Sequence, residues 1–231
     1  VMGATGGSYG GGFQFMIHRI DTKKRLDAIA PDITWHDLRY SLYSGEVFKI
    51  QWPTLLAGLG SLPPNRQDPI ITEGLTTGLS TNSLPPNLTD LLYRNSPKAS
   101  CDRDPRFAAL TAIPTFITQS ALDTLFNMTE AVDNYKCYKA LGGDVRLFIK
   151  PQGHVSGEHD RCGAIERNAA TLGFFNEKLK LQSGAFSAPE VCIHLNSNDG
   201  IALNTLPVAN TPVAVDTQTF NIVGGVAPDI T

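Results

Sequence analysis

Apolar residues up to about Leu181 fall into two alternating patterns. Short apolar runs that end in polar residues indicate buried strands at Leu26–Thr34, Ile113–Ile117 and Asp144–Lys150. Apolar residues spaced as on one face of a helix indicate helices over Gly11–Ile20, Thr124–Leu141 and Arg167–Leu181. Because strands alternate with helices, the sequence predicts an α/β fold with parallel strands.

The alternation is interrupted between Ser44 and about Leu110. Prolines recur through this stretch, with short helical pieces between them and no strand-like alternation. A connection of this length is too long for a simple loop. We therefore expect residues 44–110 to form a helical cap, inserted into a catalytic core made of residues 1–43 and 111–183.

The pattern changes again beyond about Gly184. Short alternating runs indicate β-strands at Val191–Leu195, Val213–Val215 and Phe220–Val223. A linker of serine, alanine and proline separates these runs from the last predicted helix. We expect residues 184–231 to begin a β-rich accessory domain.

The amino-terminal run Val1–Thr5 reads as a strand that leads into Gly6-Gly7-Ser8-Tyr9-Gly10, a Gly-x-Ser-x-Gly sequence. In a nucleophile elbow this sequence places the serine on a sharp, strained strand-to-helix turn. We expect glycine at the flanking positions because a Cβ there would collide with the neighbouring strand and helix. The turn would expose the Ser8 hydroxyl and leave the Tyr9 amide free to bind an oxyanion. Ordinary glycine-rich turns look similar, so the interpretation depends on a matching acid and histidine.

An acid and a histidine follow at the ends of the next strands. Asp123 lies in the loop after the strand at Ile113–Ile117, and His154 follows the strand that ends at Lys150. Ser8, Asp123 and His154 therefore occur in the order serine, acid, histidine that α/β-hydrolases use. His154 would take the serine proton as general base, and Asp123 would orient the imidazole and stabilise its cation.

Two other residues compete for these roles. His159 lies five residues further along the chain than His154, and Glu130 falls inside a predicted helix. We therefore favour His154 as the base and Asp123 as the acid.

Aromatic and polar residues follow the strand at Leu26–Thr34. Trp35, His36 and Tyr40 lie beyond its carboxyl end, where ligands collect in open α/β sheets. They could contact substrate, or Trp35 and Tyr40 could be packing residues beside a helix capped by Asp37.

Four segments resemble the Xaa-Pro dipeptidyl-peptidases and the cocaine-esterase-like acyl hydrolases: Gly6–Gly11, Leu26–Asp37, Asp123–Asn127, and Val145–Phe148 leading to Gly153-His154. The resemblance covers about residues 1–180 and implies an α/β-hydrolase fold with a jelly-roll domain after the last helix. It also implies that Ser8, Asp123 and His154 are catalytic and that Tyr9 supplies an oxyanion amide. The substrate would be an Xaa-Pro peptide or an ester, and we lean slightly towards the peptide.

Family members carry strands before the elbow, and no such strands precede Val1 here. We therefore expect the chain to be part of a longer protein. Its amino-terminal part would supply those strands and, by the resemblance, a tyrosine hydroxyl as second oxyanion donor. Two other interpretations stay open: a non-catalytic module of the same fold, and an incomplete fragment that needs its amino-terminal half.

Composition and charge argue against several other classes. A net charge of −3 gives no basic footprint for nucleic acid or anionic lipid. No apolar run approaches the about 20 residues of a membrane helix. The cysteines lack zinc-type spacing, so we expect neither a metal nor an organic cofactor. The expected partner is a small-molecule or peptide substrate.

Four cysteines are present, at Cys101, Cys137, Cys162 and Cys192, and they allow three disulfide pairings among which the sequence does not choose. An even cysteine count and a low lysine content favour an extracellular or exported protein. A cytoplasmic location stays open.

Overall fold

The structure is a computed structural model that describes residues 1–62, 67–154, 160–195 and 199–206. In chain order its elements are β1 (Gly3–Gly7), α1 (Tyr9–Ile20), β2 (Ala28–Asp32), α2 (Leu38–Leu42), α3 (Gln51–Gly60), α4 (Pro69–Thr81), α5 (Pro86–Arg94), α6 (Pro97–Cys101), β3 (Thr115–Ser120), α7 (Met128–Ala140), β4 (Val145–Lys150), β5 (Arg161–Cys162), β6 (Ile165–Glu166), α8 (Arg167–Lys180), β7 (Val191–His194) and β8 (Gly200–Leu203). A single 3-10 turn, Ser44–Glu46, lies between α2 and α3.

Six of the strands form one sheet in the order β1-β2-β3-β4-β7-β8. Within this sheet the pairs β1-β2, β2-β3, β3-β4 and β4-β7 are parallel, and β8 runs antiparallel to β7 at the edge. Strands β2 and β3 are buried along their whole length, as expected when helices cover both faces of a parallel sheet. The predicted α/β fold with parallel strands is confirmed.

The hydrophobic core has two layers because neighbouring strand residues point to opposite faces of the sheet. On one face Ile117 packs with α1 and α7, whose Phe15 and Tyr138 rings lie 5.2 Å apart. On the other face Phe116 packs against Phe174 of α8, with 5.7 Å between ring centroids. The sheet is thereby held rigid between helices, and its carboxyl end can carry a site.

The segment between β2 and β3 is helical, as its proline pattern predicts. Pro69, Pro86 and Pro97 each lie at the start of a helix, where proline is favoured because the first helical N–H has no partner to lose. A disulfide between Cys101 and Cys137 ties α6 to α7. The extent of the cap as a separate unit stays a prediction. Among the described residues, no helix is long and apolar enough to cross a bilayer.

The strand expected at Val191–Leu195 is present, and it pairs with the main sheet. β7 pairs in parallel with β4, and a disulfide joins Cys162 of β5 to Cys192. Val191 and Cys192 are both buried, since a strand inside a parallel sheet is covered on both faces. The other two expected strands, Val213–Val215 and Phe220–Val223, lie outside the described residues, and the accessory domain therefore stays a prediction.

Candidate active site

Ser8 lies on the turn between β1 and α1 with φ 54° and ψ −120°, a strained backbone for a residue other than glycine. The Ser8 amide donates to the Asp32 carbonyl at 2.9 Å. The amides of Gly11 and Gly12 each donate to the Ser8 carbonyl at 3.0 Å. These bonds anchor the turn to β2 and to the first turn of α1, which is the arrangement of a nucleophile elbow.

A Cβ on Gly6 would lie 3.3 Å from the backbone of Gly10, and the tightest approaches near this turn occur at two glycines inside α1. A Cβ on Gly11 would be 2.8 Å from the carbonyl oxygen of Asp32, and one on Gly12 would be 2.1 Å from the ring of Trp35. A Cβ on Gly10 would meet nothing within 4 Å. The expectation that Gly10 must be glycine is therefore wrong, because α1 approaches its neighbours most closely one and two residues later.

The side chains of Ser8, Asp123 and His154 meet at the carboxyl end of the sheet. Ser8 Oγ lies 2.8 Å from His154 Nε2, and His154 Nδ1 lies 2.7 Å from Asp123 Oδ2. With its proton on Nδ1, the imidazole donates to the carboxylate, and its free Nε2 accepts from the serine hydroxyl. The structure thus brings together the three residues that the sequence order singled out.

The carboxylate of Asp123 is held in place by its own loop. Its Oδ1 accepts from the amides of Leu125 at 2.8 Å and Phe126 at 2.9 Å. Gln119 Nε2 donates to the Phe126 carbonyl at 2.6 Å and contacts Asp123 Oδ2 at 3.3 Å. Only 3% of Asp123 is exposed, so the carboxylate is fixed towards the histidine. Sequence reasoning missed Gln119, whose only signal is its place at the end of β3.

Two aromatic rings enclose the imidazole of His154. The ring centroids of Trp52 and Phe126 lie 5.6 Å and 5.3 Å from it, both edge to face. Trp52 comes from α3 and donates from Nε1 to Thr124 Oγ1 at 3.2 Å. No sequence pattern connects Trp52 to His154. His159, the competing histidine, lies outside the described residues.

Glu130, the competing acid, is bonded to a different part of the chain. Its Oε2 accepts from the amides of His36 at 2.7 Å and Asp37 at 2.8 Å, and the Ser41 hydroxyl donates to its Oε1. Burial raises the pKa of Glu130 to about 7. This carboxyl group joins α7 to the loop and helix that follow β2.

Of the three expected substrate contacts, two are buried and bonded within the protein. Trp35 Nε1 donates to the Asn95 carbonyl at 2.9 Å. His36 Nδ1 lies 2.9 Å from Asn134 Oδ1, and burial lowers the pKa of His36. These contacts correspond to packing roles for both residues. Tyr40 is partly exposed, and its contact with substrate stays a prediction.

A buried cluster of charges closes the loop that carries His154. Lys150 is fully buried, and its Nζ lies 2.9 Å from Asp32 Oδ2 and 2.9 Å from Asp160 Oδ1. Arg167 Nε lies 2.5 Å from Asp160 Oδ2. Because Lys150 precedes His154 and Asp160 follows it, these ion pairs hold the two ends of the loop together.

An apolar cavity of about 400 Å³ lies beside the elbow. Tyr9 lines it together with residues between Leu38 and Asn95. In the part of the chain that the structure describes, no group of three or more histidine, cysteine or acidic residues is placed to hold a metal ion.

Comparison with known proteins identifies both a family and a fold. The family model for X-Pro dipeptidyl-peptidase (S15 family) matches residues 1–156. No curated protein matches the chain. A CocE/NonD family hydrolase from Staphylococcus aureus has a similar structure, with a TM-score of 0.59 and 13% identity over 90% of this chain and 35% of that one. An acylaminoacyl peptidase from Pyrococcus horikoshii gives a TM-score of 0.51 and 17% identity over 80% of this chain and 25% of that one.

At such identities the structural likeness shows the fold alone, which is that of the α/β-hydrolases. The chain spans about a quarter to a third of the length of these two solved chains. The family match covers residues 1–156 of the 231 and includes the elbow, Asp123 and His154. The chain belongs to the X-Pro dipeptidyl-peptidase (S15) family of hydrolases.

Proposed function

We propose that this chain carries the catalytic residues of a serine hydrolase that cleaves an acyl bond, in an Xaa-Pro peptide or in an ester. The observation that supports the proposal best is the continuous hydrogen-bonded chain from Ser8 through His154 to Asp123, built on a strained elbow. A structural serine needs neither the strained turn nor the histidine, whereas in a nucleophile elbow the turn exposes the hydroxyl and the histidine activates it.

In the proposed reaction His154 Nε2 takes the proton of Ser8 as its Oγ attacks the substrate carbonyl carbon. Asp123 stabilises the imidazolium that forms. Collapse of the tetrahedral intermediate breaks the bond to the leaving group, which receives that proton from His154. Water then attacks the acyl-enzyme with His154 again as base, which releases the acid and restores Ser8.

The oxyanion of the tetrahedral intermediate would be bound by the amide of Tyr9. Tyr9 is the first residue of α1, so its N–H has no acceptor inside the helix, and the helix dipole favours negative charge there. We propose that a second donor comes from an amino-terminal part of the same protein. The two disulfides support an exported or extracellular location for the protein.

Serine and histidine variants test the proposed nucleophile and decide whether His154 or His159 is the base. We expect Ser8→Ala and His154→Ala each to lower kcat/KM for p-nitrophenyl acetate and for Ala-Pro p-nitroanilide by about a thousandfold or more. His159→Ala should stay close to wild type. Residual activity of Ser8→Ala above about a thousandth of wild type would contradict the assignment. Loss of activity in His159→Ala but not in His154→Ala would move the base to His159.

A further inference from the structure

We infer that the cavity of about 400 Å³ beside the elbow binds the acyl group of the substrate, and that this group is an uncharged, medium-length aliphatic chain. The inference rests on the proposed function, because it assigns the substrate of the same serine. It selects an ester of an apolar acid over the Xaa-Pro peptide.

The cavity lies next to residues that contact or neighbour the catalytic serine and histidine. Tyr9 lines the cavity, and its amide is the proposed oxyanion donor. The oxyanion belongs to the acyl group, so the acyl chain begins within a few ångströms of Tyr9. On the other side Trp52 packs against His154, and the next residue, Pro53, also lines the cavity. The cavity is therefore lined by the sequence neighbours of Ser8 and of Trp52, the residue whose ring packs against His154.

The wall of the cavity is chemically uniform. It is formed mainly by aliphatic and aromatic side chains, among them Leu42, Phe48, Leu56, Leu75, Leu88 and Leu92. Among the described residues that line it, none is charged, and the polar ones are Tyr9, Gln67 and Asn95. The amino-terminal ammonium of an Xaa-Pro substrate would lose its hydration here without a carboxylate to pair with, which is costly. An alkyl chain gives up no hydrogen bonds with water on entering.

The size of the cavity suits a chain longer than acetyl. An apolar cavity of about 150 Å³ is enough to bind benzene, and pockets for small molecules begin at about 300 Å³. A volume of about 400 Å³ therefore accommodates an acyl chain of several methylene groups. Each methylene that it buries should raise kcat/KM about threefold to fourfold.

The test is a series of p-nitrophenyl esters from acetyl to decanoyl, with one variant that fills the cavity and one matched control. Ala57 is buried on α3 and lines the cavity, whereas Leu59 on the same helix is 62% exposed and is not among the lining residues. We expect wild type to prefer octanoyl over acetyl by at least a hundredfold, and Ala57→Phe to reduce that ratio at least tenfold. Leu59→Phe should keep the wild-type ratio.

A binding measurement separates this inference from the catalytic proposal. Octanamide, which is uncharged and stable, is titrated by calorimetry into the full chain carrying Ser8→Ala. We expect saturable binding that weakens at least tenfold when Ala57→Phe is added and does not change when Leu59→Phe is added. Binding without any hydrolysis by wild type would support the cavity assignment while contradicting the proposed function.

Three kinetic results would overturn the inference. They are a flat dependence of kcat/KM on acyl length, a dependence on alcohol length instead of acyl length in a matched series of acetate esters, and cleavage of Ala-Pro p-nitroanilide in preference to every ester tested. Failure of octanamide to bind the folded Ser8→Ala chain would also overturn it.

Discussion

At the scale of single residues, the elbow depends on how closely α1 approaches the residues that follow β2. A Cβ at position 12 would lie 2.1 Å from the Trp35 ring, and Trp35 is itself buried. The indole cannot move without breaking its bond to the Asn95 carbonyl. Position 12 therefore has no room for a side chain between α1 and Trp35.

Gly12→Ala should destabilise the fold through this clash. We expect a loss of about 1–3 kcal/mol in the free energy of unfolding, the usual cost of overpacking, measured by urea denaturation. Gly10→Ala is the matched control, because a Cβ there meets nothing within 4 Å. The packing argument fails if Gly12→Ala is as stable as Gly10→Ala.

The sequence predicted those site residues whose position follows from strand ends. Ser8, Asp123 and His154 each follow a parallel strand, and parallel strands end at one edge of the sheet. Gln119 and Trp52 were not predictable in the same way. Gln119 acts through a loop conformation, and Trp52 contacts His154 from α3, in a segment far from it in sequence.

At the scale of elements, Glu130 connects α7 to the chain that leaves β2. Its carboxyl group accepts from two backbone amides and one hydroxyl. It is 1% exposed, and burial raises its pKa to about 7. A carboxyl with a raised pKa stabilises the fold most when it is protonated in both states, below about pH 4.5. That stabilisation is lost as the pH rises through the folded-state pKa.

Glu130→Gln should remove this contribution to the pH dependence. Between about pH 4.5 and 7 the stability of wild type relative to Glu130→Gln should fall by on the order of 3 kcal/mol. The quantity to measure is the difference in unfolding free energy between wild type and Glu130→Gln. Burial lowers the pKa of His18 to about 4, so His18 makes stability rise with pH in both proteins, and the difference removes that effect. Parallel stability profiles over this range would contradict the raised pKa.

The strands were predictable where the apolar runs are continuous and less so elsewhere. The runs that became β2, β3 and β4 are buried on both faces, and their composition reflects this. β7 has only four residues, and its short alternation looked like a different type of sheet. β7 is positioned in the sheet by its pairing with β4 and by the disulfide at Cys192. Neither contact can be read from the residues of the strand itself.

At the scale of the whole molecule, two disulfides connect segments that are distant in sequence. Cys101–Cys137 spans 36 residues and Cys162–Cys192 spans 30. One links α6, in the helical segment after β2, to α7, and the other links β5 to β7 of the main sheet. Closing loops of this length restricts the unfolded chain and raises stability.

Replacing either cysteine pair with serine should lower the free energy of unfolding by about 2–4 kcal/mol, as judged by chemical denaturation without reductant. Thiol titration of the untreated protein should find no free cysteine, since all four are paired. Four titratable thiols in the folded protein, or double variants with unchanged stability, would contradict the pairing.

The central claim is that Ser8 is an activated nucleophile, and labelling with a fluorophosphonate tests it most directly. Intact-mass spectrometry before and after treatment should show a single adduct that peptide mapping places on Ser8. His154→Ala should abolish the adduct, because without the base the hydroxyl is an ordinary alcohol. An adduct on another residue, or none on a folded chain that begins at Val1, would contradict the claim that this chain holds a working nucleophile.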